Sequence, residues 1–320
     1  MLTFIIRRLL ITSLLLVVIS VVSFAIFTLT PGSPFPWADL NPKISPAVKE
    51  NYRKKFHLDQ PLHKQYWFIM SGMLTGKLTS IKDERPVLEK IGERLPATLR
   101  LNLTSLIIDT IFGITLGVYA ARYAGRAPDT ITSILAFVFI ALPGFWVAYL
   151  VVIFLVQCAG TPLFGTHTLG VNLHGNFQIA LDEMWHLLVP SSILAIGGIA
   201  AQSRYMRASM IESLSEDYIR TARAKGLSDE VVLYKHAFRN SVRPLITGIG
   251  YLLPELIGGS VIIETIFAYP GMGRLAYDAA LARDYPVLMT FNFIGALLIL
   301  LGNLIADVLY AVVDPRVRLQ

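Results

Sequence analysis

About six apolar runs, each near 20 residues long, divide this chain of 320 residues. A helix rises 1.5 Å per residue, so a run of that length spans about 30 Å, the hydrocarbon thickness of a bilayer. Charged residues make up 16% of the chain, against roughly a quarter in soluble globular proteins. These features exclude an ordinary cytosolic enzyme, a secreted disulfide scaffold and a disordered tail. The single cysteine, Cys158, cannot form an internal disulfide and leaves the redox compartment open.

The expected spans are Leu9 to Leu29, Thr98 to Ala121, Ile131 to Val156, His186 to Ser203, Leu245 to Ile266 and Leu288 to Tyr310. The fourth is the weakest, being short and containing Pro190. The first follows Arg7 and Arg8, and Ser23-Phe24-Ala25 imitates a cleavage site. The run exceeds a normal signal-peptide core, so a retained helix is expected. The predicted fold class is therefore an all-α membrane protein of six helices.

Orientation follows from cations in short loops. With the amino terminus inside, one side carries 14 Lys and Arg and the opposite short loops carry only Arg274 and Arg283. Both termini are expected in the cytoplasm. This asymmetry also accounts for the net charge of +6 without invoking nucleic acid, for which no motif is present. Residues 31–97 form an external segment, too long for the charge rule to apply. Pro31, Pro34, Pro36, Pro42 and Pro46 open it with extended chain. From Ser45 to Met73 a helical pattern offers Tyr52, Phe56, Trp67 and Phe68 for packing, which predicts a small cap between the first and second spans. Residues 98–320 form the core with five spans and a cytoplasmic loop over 204–243.

Several chemical motifs fail. Gly72 to Thr79 imitates a phosphate loop, but it has one residue too few between the glycines and Leu78 after Lys77. Asn102-Leu-Thr104 matches a glycosylation acceptor but opens a span. His167 and His174 share an outer loop with no third ligand at metal spacing. No nucleophile elbow or HExxH is present, so the chain is expected to hold no active site and no cofactor or metal of its own. Gly113-Ile-Thr-Leu-Gly117 permits close helix approach, within the chain or at a subunit contact. Acids inside apolar spans are costly, which marks Asp109 and Glu255 as candidates for a translocation path, with helix–helix pairing as the alternative. Glu264 and Asp307 fall nearer the span ends, where snorkelling competes.

The longest inner loop predicts two short helices. Ser215 can cap the first, Glu216 and Asp217 occupy its first turn, and Gly226 stops it. Glu216 and Arg220 stand at i,i+4. Ser228, Asp229 and Glu230 repeat the start signal, and the second helix runs to about Asn240, before Pro244. Ala222, Ala224 and Gly226 keep the first helix slim. Such a basic projection suits either docking to a partner or resting on anionic lipid.

This loop resembles the segment by which bacterial ABC importer permeases meet their ATPases, in its oligopeptide and dipeptide (OppB/DppB-like) form. Many relatives carry an EAA triplet here. Arg220-Thr221-Ala222 stands in its place, as in the peptide subfamily, with Gly226 retained. The likeness extends over nearly the whole chain, through Phe4-Ile-Ile-Arg-Arg-Leu9, Thr30-Pro-Gly-Ser-Pro-Phe35, Arg94-Leu-Pro-Ala-Thr-Leu99, Leu142-Pro-Gly-Phe-Trp146, Glu264 to Gly273, Arg283-Asp-Tyr-Pro286 and Asp314 to Arg318.

The resemblance implies a type I importer fold in the bacterial inner membrane. It implies a second, homologous permease as heterodimer partner, two ATPase subunits that bind ATP and Mg, and an external substrate-binding protein or lipoprotein. It assigns ATPase coupling to Tyr218, Ile219, Arg220, Thr221, Ala222, Arg223, Ala224, Lys225, Gly226 and Leu227. Contact with the binding protein falls on Glu264, Tyr269, Pro270, Gly271, Gly273, Arg283 and Asp284. The implied cargo is a peptide, within a family that also carries nickel complexes, haem precursors, glutathione and oligosaccharides. The rival reading is a proton-coupled secondary transporter using Asp109 and Glu255. A membrane-embedded enzyme is the weaker alternative.

Overall fold

The computed structural model describes residues 2–32, 45–160, 163–168, 170, 175–248 and 260–313. All named elements among them are helices: α1 (Leu2–Leu29), α2 (Pro46–Lys55), α3 (Leu62–Leu74), α4 (Val87–Arg122), α5 (Ala127–Ala141), α6 (Gly144–Ala159), α7 (Asn176–Ser215) and α8 (Asp217–Ala224). A π-helical segment, Val231–Ala237, runs into α9 (Phe238–Ser241). Then follow α10 (Arg243–Gly248), α11 (Val261–Ile266), α12 (Met272–Ala282) and α13 (Tyr285–Val313). The all-helical membrane class stands.

Four of these helices, α1, α4, α7 and α13, are long and apolar enough to cross a bilayer. The third expected span is not one helix. The chain breaks at Leu142-Pro143, and α5 and α6 meet at a bend of 97°. Proline pushes its preceding residue out of the helical region, and Leu142 is extended at ψ 127°. The fourth span, expected to be short and weak, belongs to the longest described helix, with 40 residues and Pro190 inside it. At about 60 Å it exceeds the bilayer twofold, so the apolar stretch is only part of a longer helix whose polar ends continue beyond it. The second span likewise starts at Val87, well before Thr98, and takes in Pro96. Half of the expected fifth span, residues 249–259, lies outside the described residues.

The chain divides into two compact units. The first is built chiefly of Met1–Thr98 and Pro270–Gln320. Its core joins α1, the cap, the start of α4, α12 and α13 through Phe24, Ile69, Met73, Val87, Met272 and Val287. The expected cap helix is two helices, separated at 56–61. Phe56 is buried and Phe68 half-buried, whereas Trp67 faces outward with 71% of its surface exposed. The phosphate-loop look-alike is the end of α3, where the Lys77 and Leu78 amides both donate to the Gly72 carbonyl.

A buried carboxylate ties this unit together. Asp284, 1% exposed, accepts from the Ile81 amide at 3.0 Å and from the Ser80 hydroxyl. Lys90 donates to Ser80 at 3.0 Å and to Asp83 at 2.8 Å. Asp284→Ala removes the acceptor for two buried donors, a loss of about 1–3 kcal/mol. Limited proteolysis should cut this variant faster than wild type between α3 and α4, with cleavage elsewhere unchanged.

The second unit comprises chiefly Leu99–Ile249 and Ile262–Tyr269. Here α7 packs against α4, α5 and α6, and the short helices that follow α7 close over its end. The Gly113 and Gly117 motif works inside the chain. A Cβ on Gly117 would lie 2.6 Å from the Ser203 carbonyl and from Met206 Cβ, and one on Gly113 would lie 2.8 Å from Gln202 Cβ.

Candidate functional site: the loop after the longest helix

Helix α8 begins where α7 ends. The expected Ser215 cap does not form. Ser215 is the last residue of α7 and donates its hydroxyl to the Glu212 carbonyl at 2.6 Å. Glu216, extended at ψ 155°, takes the capping position. With Glu216 outside the helix, Arg220 pairs with Asp217 at 3.2 Å, one turn along, instead of with Glu216. The stop is at Gly226, whose φ of +76° is the left-handed conformation glycine adopts without a Cβ penalty, and its amide donates to the Arg223 carbonyl at 2.9 Å. The second helix starts near Asp229 as expected but passes through the π-helical segment before ending at Ser241.

The eight-residue α8 is strongly two-faced. Ile219 is fully buried and Ala222 is 5% exposed. Both enter a core with Met206 and Met210 of α7, Val118 and Ala121 of α4, and Val232, Leu233 and Ala237 of the π segment. Ala222 therefore packs inward and does not present a small surface to a partner. Its size is set by this core. The outer face carries Tyr218, Arg220, Thr221, Arg223, Ala224 and Lys225, all exposed, followed by exposed Gly226 and Leu227. Tyr218 is fixed by a hydrogen bond between its hydroxyl and Ser213, and Ser213 also donates to the Ala237 carbonyl at 3.2 Å. The turn after Gly226 is held loosely by Arg223 and Asp229, 3.9 Å apart and both exposed.

Beneath this loop lies an ion pair that the sequence pattern did not reveal. Asp129, 4% exposed, sits in the first turn of α5 and accepts from Arg207 Nε and, at 2.8 Å, from Nη2. It also accepts from the Gly125 amide at 2.9 Å, closing the turn between α4 and α5. The two residues are 78 positions apart. Only Pro128-Asp129 after a glycine turn signalled a helix start, and nothing signalled the partner.

The remaining candidates scatter. Asp109 is half-buried on α4, accepts from the Thr110 hydroxyl at 3.1 Å, and lies against Gly198 of α7. Glu255 and His174 lie outside the described residues. Glu264 is fully buried, and its carbonyl accepts from the amide of Tyr269, itself 3% exposed, at 2.8 Å. Pro270 is half-buried, while Gly271 and Gly273 are buried at the start of α12, where the Met272 amide donates to buried Thr98 at 2.7 Å. Arg283 caps α12 with φ +55° and donates to the Pro31 carbonyl at 2.7 Å. The side chains of Glu264, Tyr269 and Asp284 are thus turned into the chain and not outward. On the exposed side of the cap, burial opposes ionisation of Asp83, but hydrogen bonds from Lys90, Ser80 and the Arg85 amide hold its carboxyl below the usual range. The Lys55 ammonium, 2.6 Å from Glu84, and the Tyr52 hydroxyl do the same for the Glu84 carboxyl.

Several long apolar helices, with a charged projection at the end of one of them, define a multi-pass membrane protein. Residues 113–319 match the family described as the binding-protein-dependent transport system inner membrane component, and residues 1–102 match its amino-terminal component. The chain belongs to this family and is a multi-pass permease of the inner membrane. Membership implies a substrate-binding protein and partner subunits. The chain is 40% identical, over 99% of its length and all of the relative's, to the oligopeptide transport system permease protein AppB of Bacillus subtilis. It is 36% identical to the glutathione transport system permease protein GsiC of Escherichia coli K12 and of Shigella flexneri, over 99% of both chains in each case.

Proposed function

We propose that the chain is one half of the membrane channel of an ATP-driven peptide importer, and that Tyr218 to Leu227 transmits the motion of an ATPase subunit to the helices. On this reading a homologous permease completes the channel, two ATPases dock at the α8 face, and the binding protein delivers peptide at the opposite side. The loop lies in the cytoplasm with both termini, and ATP and Mg are held by the ATPases alone. Full-length similarity to permeases for an oligopeptide and for glutathione, itself a short peptide, supports this cargo class.

The observation that carries the reading is the disposition of α8. Its apolar residues, Ile219 and Ala222, are already consumed by the chain's own core. A helix that rests on a bilayer needs a free apolar face to bury among the acyl chains. What α8 leaves free is polar and cationic, backed by a rigid core, and that suits a protein groove better than lipid.

The test separates the two faces. Ala224→Trp adds bulk on the exposed side and should abolish ATP-dependent peptide uptake in proteoliposomes while leaving membrane insertion intact. Gly226→Leu should do the same by straining the left-handed turn at a cost of about 1–2 kcal/mol. Normal uptake by Ala224→Trp would count against docking, as would a photo-crosslinker at position 224 that captured only phospholipid. Uptake driven by a proton gradient without ATP would return the secondary-transporter reading.

A further inference from the structure

The break between α5 and α6, within the second unit, leaves polar backbone bare at membrane depth. The two arms have 15 and 16 residues, about 22 and 24 Å. Neither alone crosses a hydrocarbon core of about 30 Å, so the two together make one span, and near-equal arms put the break near its middle. Pro143 has no N–H to give the Phe139 carbonyl. The 97° bend carries the amides that follow away from the end of α5. The Leu142 amide still reaches the Val138 carbonyl at 3.1 Å, and the Trp146 amide turns back to the Pro143 carbonyl at 2.9 Å. That leaves the carbonyls of Phe139, Ile140 and Ala141 and the amides of Gly144 and Phe145 without a backbone partner among the described residues. Ala141 and Pro143 to Trp146 are all exposed, and a Cβ on Gly144 would meet nothing within 4 Å. The chain does not cover these groups itself. Acyl chains offer them no hydrogen bond, and irregular backbone at this depth persists only against protein or water.

A second observation points to water. The Arg204 guanidinium of α7 lies 4.3 Å from the centroid of the Phe137 ring. Phe137 stands one helical turn before Ala141, on the same side of α5. Arg204 and Phe137 are both exposed. Arg207, one turn along α7, is paired with Asp129, whereas no carboxylate pairs with Arg204 among the described residues. Arg204 therefore lays an uncompensated charge against the apolar flank of α5. A cation held there faces a water-filled space, or a counter-charge that arrives through one.

We propose that the break at Ala141 to Trp146, with Arg204, forms part of the wall of a hydrated passage along which peptide crosses the membrane. The proposal rests on the importer reading and adds to it the groups that the peptide meets. A helix of a neighbouring subunit is a poor match for this surface, because its own amides and carbonyls are already paired within it. An extended peptide carries unpaired amides and carbonyls for the bare backbone and a carboxylate for Arg204. Contacts between main chains ignore side-chain identity, which suits a path for peptides of varied sequence.

The test measures water access at single cysteines in a Cys158→Ser background, using the full chain with the subunits that co-purify, in proteoliposomes. Ala141→Cys, Gly144→Cys and Phe145→Cys are treated with charged methanethiosulfonates that do not enter lipid. The thiolate is the reactive form and apolar surroundings suppress it, so all three should react about tenfold or more faster than Leu14→Cys on the exposed side of α1. Ala141→Cys should favour the anionic reagent over the cationic one. Arg204→Gln should remove that preference and Arg204→Lys should keep it. In vesicles that import labelled trialanine, excess trialanine should slow all three reactions. Rates equal to the α1 control would overturn the proposal. So would reaction in the isolated chain but not in the complex, which would mean that a partner subunit covers the break. A charge preference unchanged by Arg204→Gln would remove Arg204 from the wall, and rates unchanged during trialanine import would overturn the peptide path. Water access is read without transport, so its failure is distinct from failure of the importer reading.

Discussion

Gly117→Leu should prevent the second unit from folding, leaving protein that inserts but aggregates on extraction into detergent. The first added carbon already collides, since Cβ would stand 2.6 Å from a backbone carbonyl, that of Ser203, and 3.1 Å from the Arg207 amide. Backbone atoms cannot rotate aside as a side-chain end can. The helices must separate, and packing lost along α4 and α7 adds to the roughly 1–3 kcal/mol typical of overpacking. Gly117→Ala should still fold, with a melting temperature below that of wild type. Gly197→Ala is the control. It lies on the partner helix α7, but nothing stands within 4 Å of its Cβ, and alanine favours helix by about 1 kcal/mol over glycine. Equal melting temperatures for Gly117→Leu and Gly197→Ala would refute this account of the helix contact.

Asp129→Ala should be a strongly destabilising loss of charge. It leaves Arg207 without its carboxylate and the Gly125 amide without its acceptor. Breaking a buried pair costs about 3–5 kcal/mol. Arg207 retains 34% of its side-chain exposure, so water recovers part of that and about 2–3 kcal/mol is expected. Arg207 and Met206 adjoin one another on α7, and Met206 belongs to the core that seats Ile219 and Ala222. Loosening this pair should therefore reduce ATP-dependent uptake even where folded protein survives. The double variant Asp129→Leu with Arg207→Leu should recover stability over Asp129→Ala, because no buried charge is left unpaired. A melting curve in detergent that shifts equally for the single and double variants would contradict this.

These two expectations come from opposite kinds of information. The glycine pair was visible as a spacing, and the sequence allowed helix contact within or between chains. Only the position of α7 selected the internal partner. The ion pair was not visible, because residues 129 and 207 belong to separate helices and neither carries a local signature of the other. Pattern reading located the short helix after α7, its glycine stop and its charged residues. It misassigned Ala222 to the outer face, because a small residue on a short helix reads the same whether it yields room to a partner or to the chain's own core. It likewise read the third span as continuous, since hydropathy averages over the Leu142-Pro143 break.

What the sequence determined by itself was the solvent. Long apolar runs and a one-sided distribution of cations demand a bilayer whatever the contacts turn out to be, because transfer of whole segments out of water outweighs any single interaction. The order of its motifs determined the family. Tertiary structure alone decided which face of each helix is buried. It placed Asp284 and Glu264 inside the chain and turned the basic face of α8 away from the core. Those outcomes depend on distances between residues far apart in sequence, and such distances exist only after the helices have packed.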